Sequence, residues 1–201
     1  TRFFESDDPI STAVAAGESF SCAIVGGTGE LLCWGADTLG QVSGAPAGAF
    51  EAVSAWKRSA CALRRGDGEL SCWGLDDHGQ VSGATSGAPF ARVAIGETHG
   101  CALRRGSGEV SCWGDDEHGQ VGGAPVGVAF DSIAVGDGHS CALRRDGGQV
   151  LCWGAGEWGG LSGTPSSESF SALSGGGGHS CGIRQSDGTL TCWGYVAWNP
   201  H

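Results

Sequence analysis

Cys61-Ala62-Leu63-Arg64-Arg65-Gly66-Asp67-Gly68-Glu69-Leu70-Ser71-Cys72-Trp73-Gly74 is the stretch on which the reading of this chain turns. Two short apolar segments flank a Gly/Asp turn, the pattern of a β-hairpin, and the cysteines fall at facing positions on its two strands. The unit returns about every forty residues: Cys22 to Cys33, Cys101 to Cys112, Cys141 to Cys152 and Cys181 to Cys192 complete a set of five.

Aligning the cysteines aligns the rest. Phe50, Phe90, Phe130 and Phe170 stand eleven residues before the first Cys of copies two to five, and Val14, Val53, Val93, Ile133 and Leu173 stand eight before it in all five. These β-branched segments, broken by glycine, read as a strand preceding the hairpin. A weaker fourth strand is expected at Gly-Gln-Val, centred on Val42, Val81, Val121 and Leu161. Four short strands per repeat without helical periodicity describe a propeller blade; a solenoid would leave its ends open and in need of polar caps. Arg2-Phe3 falls in phase with Gln41-Val42, so residues 1–11 are expected to form the closing strand of the last blade and leave no free edge. The expectation is one all-β domain over residues 1–201, a closed five-bladed β-propeller with repeats near 11–49, 50–89, 90–129, 130–169 and 170–201.

Facing side chains on paired strands lie about 4.5–5.5 Å apart at Cβ, close to disulfide reach. The expected bridges are Cys22–Cys33, Cys61–Cys72, Cys101–Cys112, Cys141–Cys152 and Cys181–Cys192, and they imply an oxidising compartment. The other reading is ten reduced, buried thiols. With a two-residue turn at Gly66-Asp67, Cys61 and Cys72 fall at a hydrogen-bonded pair, a site that calls for strain or a bulged turn. Zinc is not expected, because two cysteines per blade never gather four in one place.

The net charge of −11 argues against nucleic acid and against anionic lipid as partners, and no apolar run is long enough to span a bilayer. The chain has no methionine, so Thr1 is not an intact translational start: a leader was removed or the sequence is part of a longer one.

The loops after each Cys-Trp-Gly should gather on one rim. Copies two and three place Asp76, Asp77, His78 and Asp116, Glu117, His118 there, while copies four and five bring Trp158 and Trp198. Acid-acid-His can ligate a metal, yet a solvated acidic loop is the simpler reading, and no metal or other cofactor is assigned. A rim that diverges while the core phases stay fixed is where partner contact is expected. His99, His139 and His179 repeat at one phase and read as structural hydrogen-bonding residues rather than catalytic ones. The pairs Arg64-Arg65, Arg104-Arg105 and Arg144-Arg145 read as structural, able to pair with neighbouring blades.

His-Ser-Cys-Ala-Leu at 139–143, Cys-Trp-Gly at 152–154 and Gly-Gln-Val at 119–121 resemble the repeat of the regulator-of-chromosome-condensation family, in particular the cysteine-paired repeats of secreted bacterial proteins. The resemblance covers essentially the whole chain and implies a β-propeller used as an interaction surface. The family usually has seven blades, so five copies depart from it. The combined expectation is a secreted, periplasmic or cell-surface binding module, non-enzymatic and without catalytic residues, whose partner is an extracellular protein or glycan. The alternatives are a carbohydrate-binding lectin and the structural subunit of a surface assembly.

Overall fold

The structure is a computed structural model that describes residues 11–85, 87–155 and 160–195. Five antiparallel sheets follow one another along the chain, each with three strands in sequence order. They are β1 (Ser11–Ala16), β2 (Phe20–Val25) and β3 (Leu31–Gly35); β4 (Phe50–Trp56), β5 (Ser59–Arg64) and β6 (Leu70–Gly74); β7 (Phe90–Ile95), β8 (His99–Arg104) and β9 (Val110–Gly114); β10 (Phe130–Val135), β11 (His139–Arg144) and β12 (Val150–Gly154); and β13 (Phe170–Gly175), β14 (His179–Arg184) and β15 (Leu190–Gly194). First strands of successive sheets pack on each other whereas third strands do not, so the first strands converge toward an axis and the blades splay outward. The convergence is tight enough to dictate residue type. A Cβ at Gly96 would stand 2.0 Å from the carbonyl oxygen of Gly136, so no larger residue fits there.

Each sheet covers its predecessor in the same way. Ile24 packs in one cluster with Phe50, Leu63 with Phe90, Leu103 with Phe130 and Leu143 with Phe170. Burying such a side chain stabilises by roughly 1.5–3 kcal/mol, which is why the Phe phase recurs in copies two to five. The main chain ties the same joints, as Phe50 N–H donates to Gly29 C=O and Phe90 N–H to Gly68 C=O. The indole N–H groups of Trp73, Trp113 and Trp153 each donate to the carbonyl of Gln41, Gln80 and Gln120 in the preceding repeat, at 2.9–3.0 Å. These tryptophans are joints between blades.

All five disulfides are formed in the expected pairs. The turn, however, is longer than two residues. Arg64 N–H donates to Glu69 C=O and Gly68 N–H returns to Arg64 C=O, and the other four hairpins repeat this pattern. Lengthening the turn from residues 66–67 to 65–68 leaves the register unchanged but inverts the alternation of hydrogen-bonded and open pairs. Cys61 and Cys72 therefore sit at a non-hydrogen-bonded pair, where the strands run closest, with Cα atoms 4.0 Å apart. No strained site is required.

The expected fourth strand is not one. Gly44 N–H donates to Gly40 C=O and Ala45 N–H to Val42 C=O, and residues 79–84 and 119–124 repeat the arrangement, so Gly-Gln-Val folds as a single helical turn. The alternation Gln-Val-Ser-Gly was too short to distinguish a strand from a turn. The expected closing strand at residues 1–10 lies outside the described residues. Among the described residues, β13–β15 do not pack on β1–β3 as successive sheets pack on one another, and no helix is long and apolar enough to cross a membrane.

Candidate functional site: the acidic rim

Because the strands alternate in direction, the turns between first and second strands and the loops after third strands share one rim, and the hairpin tips form the other. The first rim carries Glu18, Asp37, Asp76, Asp77, Glu97, Asp115, Asp116, Glu117 and Asp137 against Lys57 and Arg58. The hairpin rim is balanced by ion pairs: Arg64–Glu69 at 2.6 Å, Arg144–Asp146 at 2.7 Å, Arg145–Asp131 at 2.8 Å and Arg105 with Glu51. There the second arginine of each pair also reaches across to the preceding hairpin, Arg65 to Gly27 C=O and Arg105 to Gly66 C=O. Among the described residues, nearly all of the excess negative charge is thus displayed on one side.

The outer loops of that rim are built by their own first acid. Asp76 Oδ1 accepts from Val81 N–H at 2.8 Å and Ser82 N–H at 3.0 Å, and Asp116 Oδ1 accepts from Val121 and Gly122 N–H at 2.8 Å. Gly122 and Val121 hold the Asp116 carboxyl below the usual carboxylate range. At Asp76 burial opposes the charge, and the Ser82 and Val81 donors outweigh it in the same direction. Buried Gln80 and Gln120 close the loop from beneath, accepting from His78 and His118 N–H at 2.8 Å. Asp76 and Asp116 are therefore structural, while the side chains of Asp77, His78, Glu117 and His118 stand exposed beside them. Trp158 and Trp198 lie outside the described residues.

At the axis the innermost turns bring together residues that the repeat alignment does not single out. Lys57 Nζ lies 2.5 Å from Glu97 and 3.3 Å from Asp137, and Trp56 Nε1 donates to Asp137 Oδ1 at 2.9 Å, joining the second sheet to the fourth. Burial works against the charge on Lys57, but Glu97 and Asp137 prevail and raise its pKa. The available signal was Lys57 itself, the only cation at a phase occupied by Glu18, Glu97 and Asp137 elsewhere. Between this bridge and the outer loops opens a cavity of about 570 Å³ whose lining includes Thr98, Asp115, His118, Asp137 and Tyr195. Among the described residues no three His, Cys, Asp or Glu side chains come together as a metal site.

The repeated histidines join sheets. His99 Nε2 lies 2.8 Å from Ser140 Oγ and His139 Nε2 lies 2.9 Å from Ser180 Oγ, each reaching into the following sheet. Burial pushes the pKa of both downward, that of His99 to about 4. A neutral imidazole hydrogen-bonded inside a joint is positioned for packing rather than for catalysis.

Residues 12–41, 90–120 and 130–157 match the regulator of chromosome condensation (RCC1) repeat. A search of curated proteins finds no match. Among solved structures, the ectodomain of the receptor kinase CR4 from Physcomitrella patens is similar over 90% of this chain and 52% of its own, with TM-score 0.79 and 27% identity. The CRINKLY WD40 ectodomain of the Arabidopsis thaliana receptor kinase ACR4 is similar over 93% of this chain and 69% of its own, with TM-score 0.75 and 27% identity. Prp20p from Saccharomyces cerevisiae, described with its binding to Gsp1p and histones, shares the fold over 92% of this chain and 57% of its own, with TM-score 0.72 and 19% identity. The chain thus spans about half of the moss ectodomain. Three stretches of the chain match the regulator of chromosome condensation repeat, and its sheets are similar to those of solved β-propeller ectodomains.

Proposed function

We propose that the chain is a non-enzymatic, protein-binding array of propeller blades that works in an oxidising, extracellular compartment and presents its acidic rim to a basic surface of its partner. The observation that carries this reading is the charge asymmetry between the rims, since a one-signed face attracts and orients an oppositely charged partner. Asp77, His78, Glu117 and His118 are the side chains free for that contact, because Asp76 and Asp116 are committed to holding their loops. Trp158 and Trp198, which follow the fourth and fifth Cys-Trp-Gly in the sequence, are included in this proposal as candidate contact residues. Five disulfides support an oxidising compartment, and the likeness to two receptor ectodomains supports an extracellular one.

The test is charge reversal on one rim at a time. With Asp77→Lys and Glu117→Lys combined, association with a partner captured from the native secretome should slow by on the order of tenfold and lose its salt dependence. Glu109→Lys on the hairpin rim should leave binding unchanged. Equal binding by all three proteins removes the acidic rim from the function.

One observation favours a second reading. Exposed Tyr195 beside the carboxylates of the rim cavity suits a sugar, as an aromatic face and hydrogen-bonding oxygens together would. Reproducible hits on a glycan array, with or without calcium, would make the chain a lectin.

A further inference from the structure

On the side of the hairpin rim one cation stands apart. Every other described lysine and arginine has a carboxylate, carbonyl or hydroxyl partner, whereas the exposed Arg92 guanidinium has none. Its place in the repeat is equally unusual, because the other copies carry Ala13, Ala52, Ser132 and Ala172 at that phase. A small residue satisfies the fold there, so packing does not call for an arginine.

Arg92 lines a cavity of about 650 Å³, within the range of about 300–1,000 Å³ usual for small-molecule sites. Its walls come from the first strands β7, β10 and β13, which pack on one another in turn, and from the hairpin turn of the fourth sheet. Leu143 and Phe170, also in the wall, belong to the packed joint between the fourth and fifth sheets. The cavity is therefore made by neighbouring sheets and not by an end of the chain.

Two chemistries meet in it. Val93, Ile133 and Leu173, half-buried and one per strand at a single phase, supply an apolar stripe. Beside them Arg92 and Ser132 share one phase of β7 and β10, and the Ser132 hydroxyl also has no partner among the described residues. The remaining cations are taken. Asp146 holds Arg144 through two bonds of 2.9 and 2.7 Å, and Arg145 donates to Asp131 and to Gly106 C=O. One open positive charge is left, in a cavity that also holds the Asp131 carboxylate. A ligand with a single negative charge matches it, whereas Asp131 repels a dianion more strongly.

We propose that this cavity binds a monocarboxylate carried on an apolar chain. Arg92 offers the carboxylate two parallel N–H donors, the pairing for which a guanidinium is shaped, and Ser132 adds an O–H donor. Val93, Ile133 and Leu173 carry the chain. A free alkanoic acid and the C-terminus of an apolar peptide both supply this chemistry.

Octanoate and, separately, a short peptide ending in leucine are titrated into the oxidised chain by isothermal calorimetry. At least one should bind at a single saturable site, and the one that binds names the source. Its uncharged counterpart, octanol or the peptide amide, should bind more weakly by on the order of tenfold. Arg92→Ala puts in the residue that three other repeats carry at this phase. It should melt at the wild-type temperature and also lose on the order of tenfold in affinity. Arg104→Ala, outside the cavity, should bind as the wild type does. Absence of binding by both carboxylates, an uncharged counterpart that binds as tightly, or undiminished affinity in Arg92→Ala would each overturn the proposal.

Discussion

His99 is fully buried, its Nε2 held by Ser140 and its Nδ1 without a partner. Burial first, then the neighbouring His139, push its pKa from the ordinary 6.5 to about 4, against the pull of Asp115 and Asp116. The native imidazole is therefore neutral where the unfolded one begins to take up a proton. On acidification the unfolded chain binds that proton first, so this contribution to stability is complete above about pH 6.5 and declines as the pH falls toward 4. Across that window the linkage amounts to about 3 kcal/mol. The melting temperature should fall between pH 7 and pH 4.5, and His139, shifted the same way, adds to the slope. Combining His99→Phe with Ser140→Ala imitates the Phe20–Ala60 packing of the first joint and should flatten the profile without lowering stability at pH 7. An unaltered pH profile in that variant would locate the acid sensitivity elsewhere.

At the scale of the element, hairpins and cysteine pairing were legible because residue type and spacing determine them locally. The repeated Cys-Ala-Leu-Arg-Arg and Cys-Trp-Gly fix two strands and the register between them. Turn length was not legible, since Gly66-Asp67-Gly68 permits a two- or a four-residue turn, and only the main-chain hydrogen bonds of Arg64 decide. Gly-Gln-Val was misread because its role is set from outside: Gln80 is buried beneath its own loop and its carbonyl receives the Trp113 indole. In the rim, the sequence marks the acid-acid-His loops but not the division of labour within them. That division depends on which carboxylate can reach back to the main chain at residues 81–82 or 121–122. The elements also differ in exposure in a way that can be measured. Cys22, Cys61, Cys101 and Cys141 are fully buried, whereas Cys181 is only half-buried and Cys192 is exposed. Under limiting reductant at low protein concentration, alkylation followed by peptide mass mapping should find Cys181 and Cys192 modified first. Equal modification of all ten cysteines would mean that the fifth bridge is shielded in solution.

For the molecule as a whole, stability follows from how the sheets are connected. Apart from the Lys57 and Trp56 contacts with Asp137 near the axis, the described sheets pack chiefly on their sequence neighbours, so stability approximates a sum of sheet terms and joint terms. Among the described residues, interior sheets have two joints and the first and fifth sheets have one. The fifth sheet is poorer still: Trp193 Nε1 is buried without a partner, where Trp153 finds Gln120. Gly182 also replaces the alanine of the other repeats, and the Phe170 ring occupies the space that alanine's methyl would take. Hydrogen exchange read by mass spectrometry on a dilute sample should therefore show the highest protection in β5, β8 and β11, the central strands of sheets with two joints. Protection should decline toward both ends and be lowest in β13–β15. A closed ring predicts something different, because every sheet would then have two joints and the terminal sheets would be as well protected as the third.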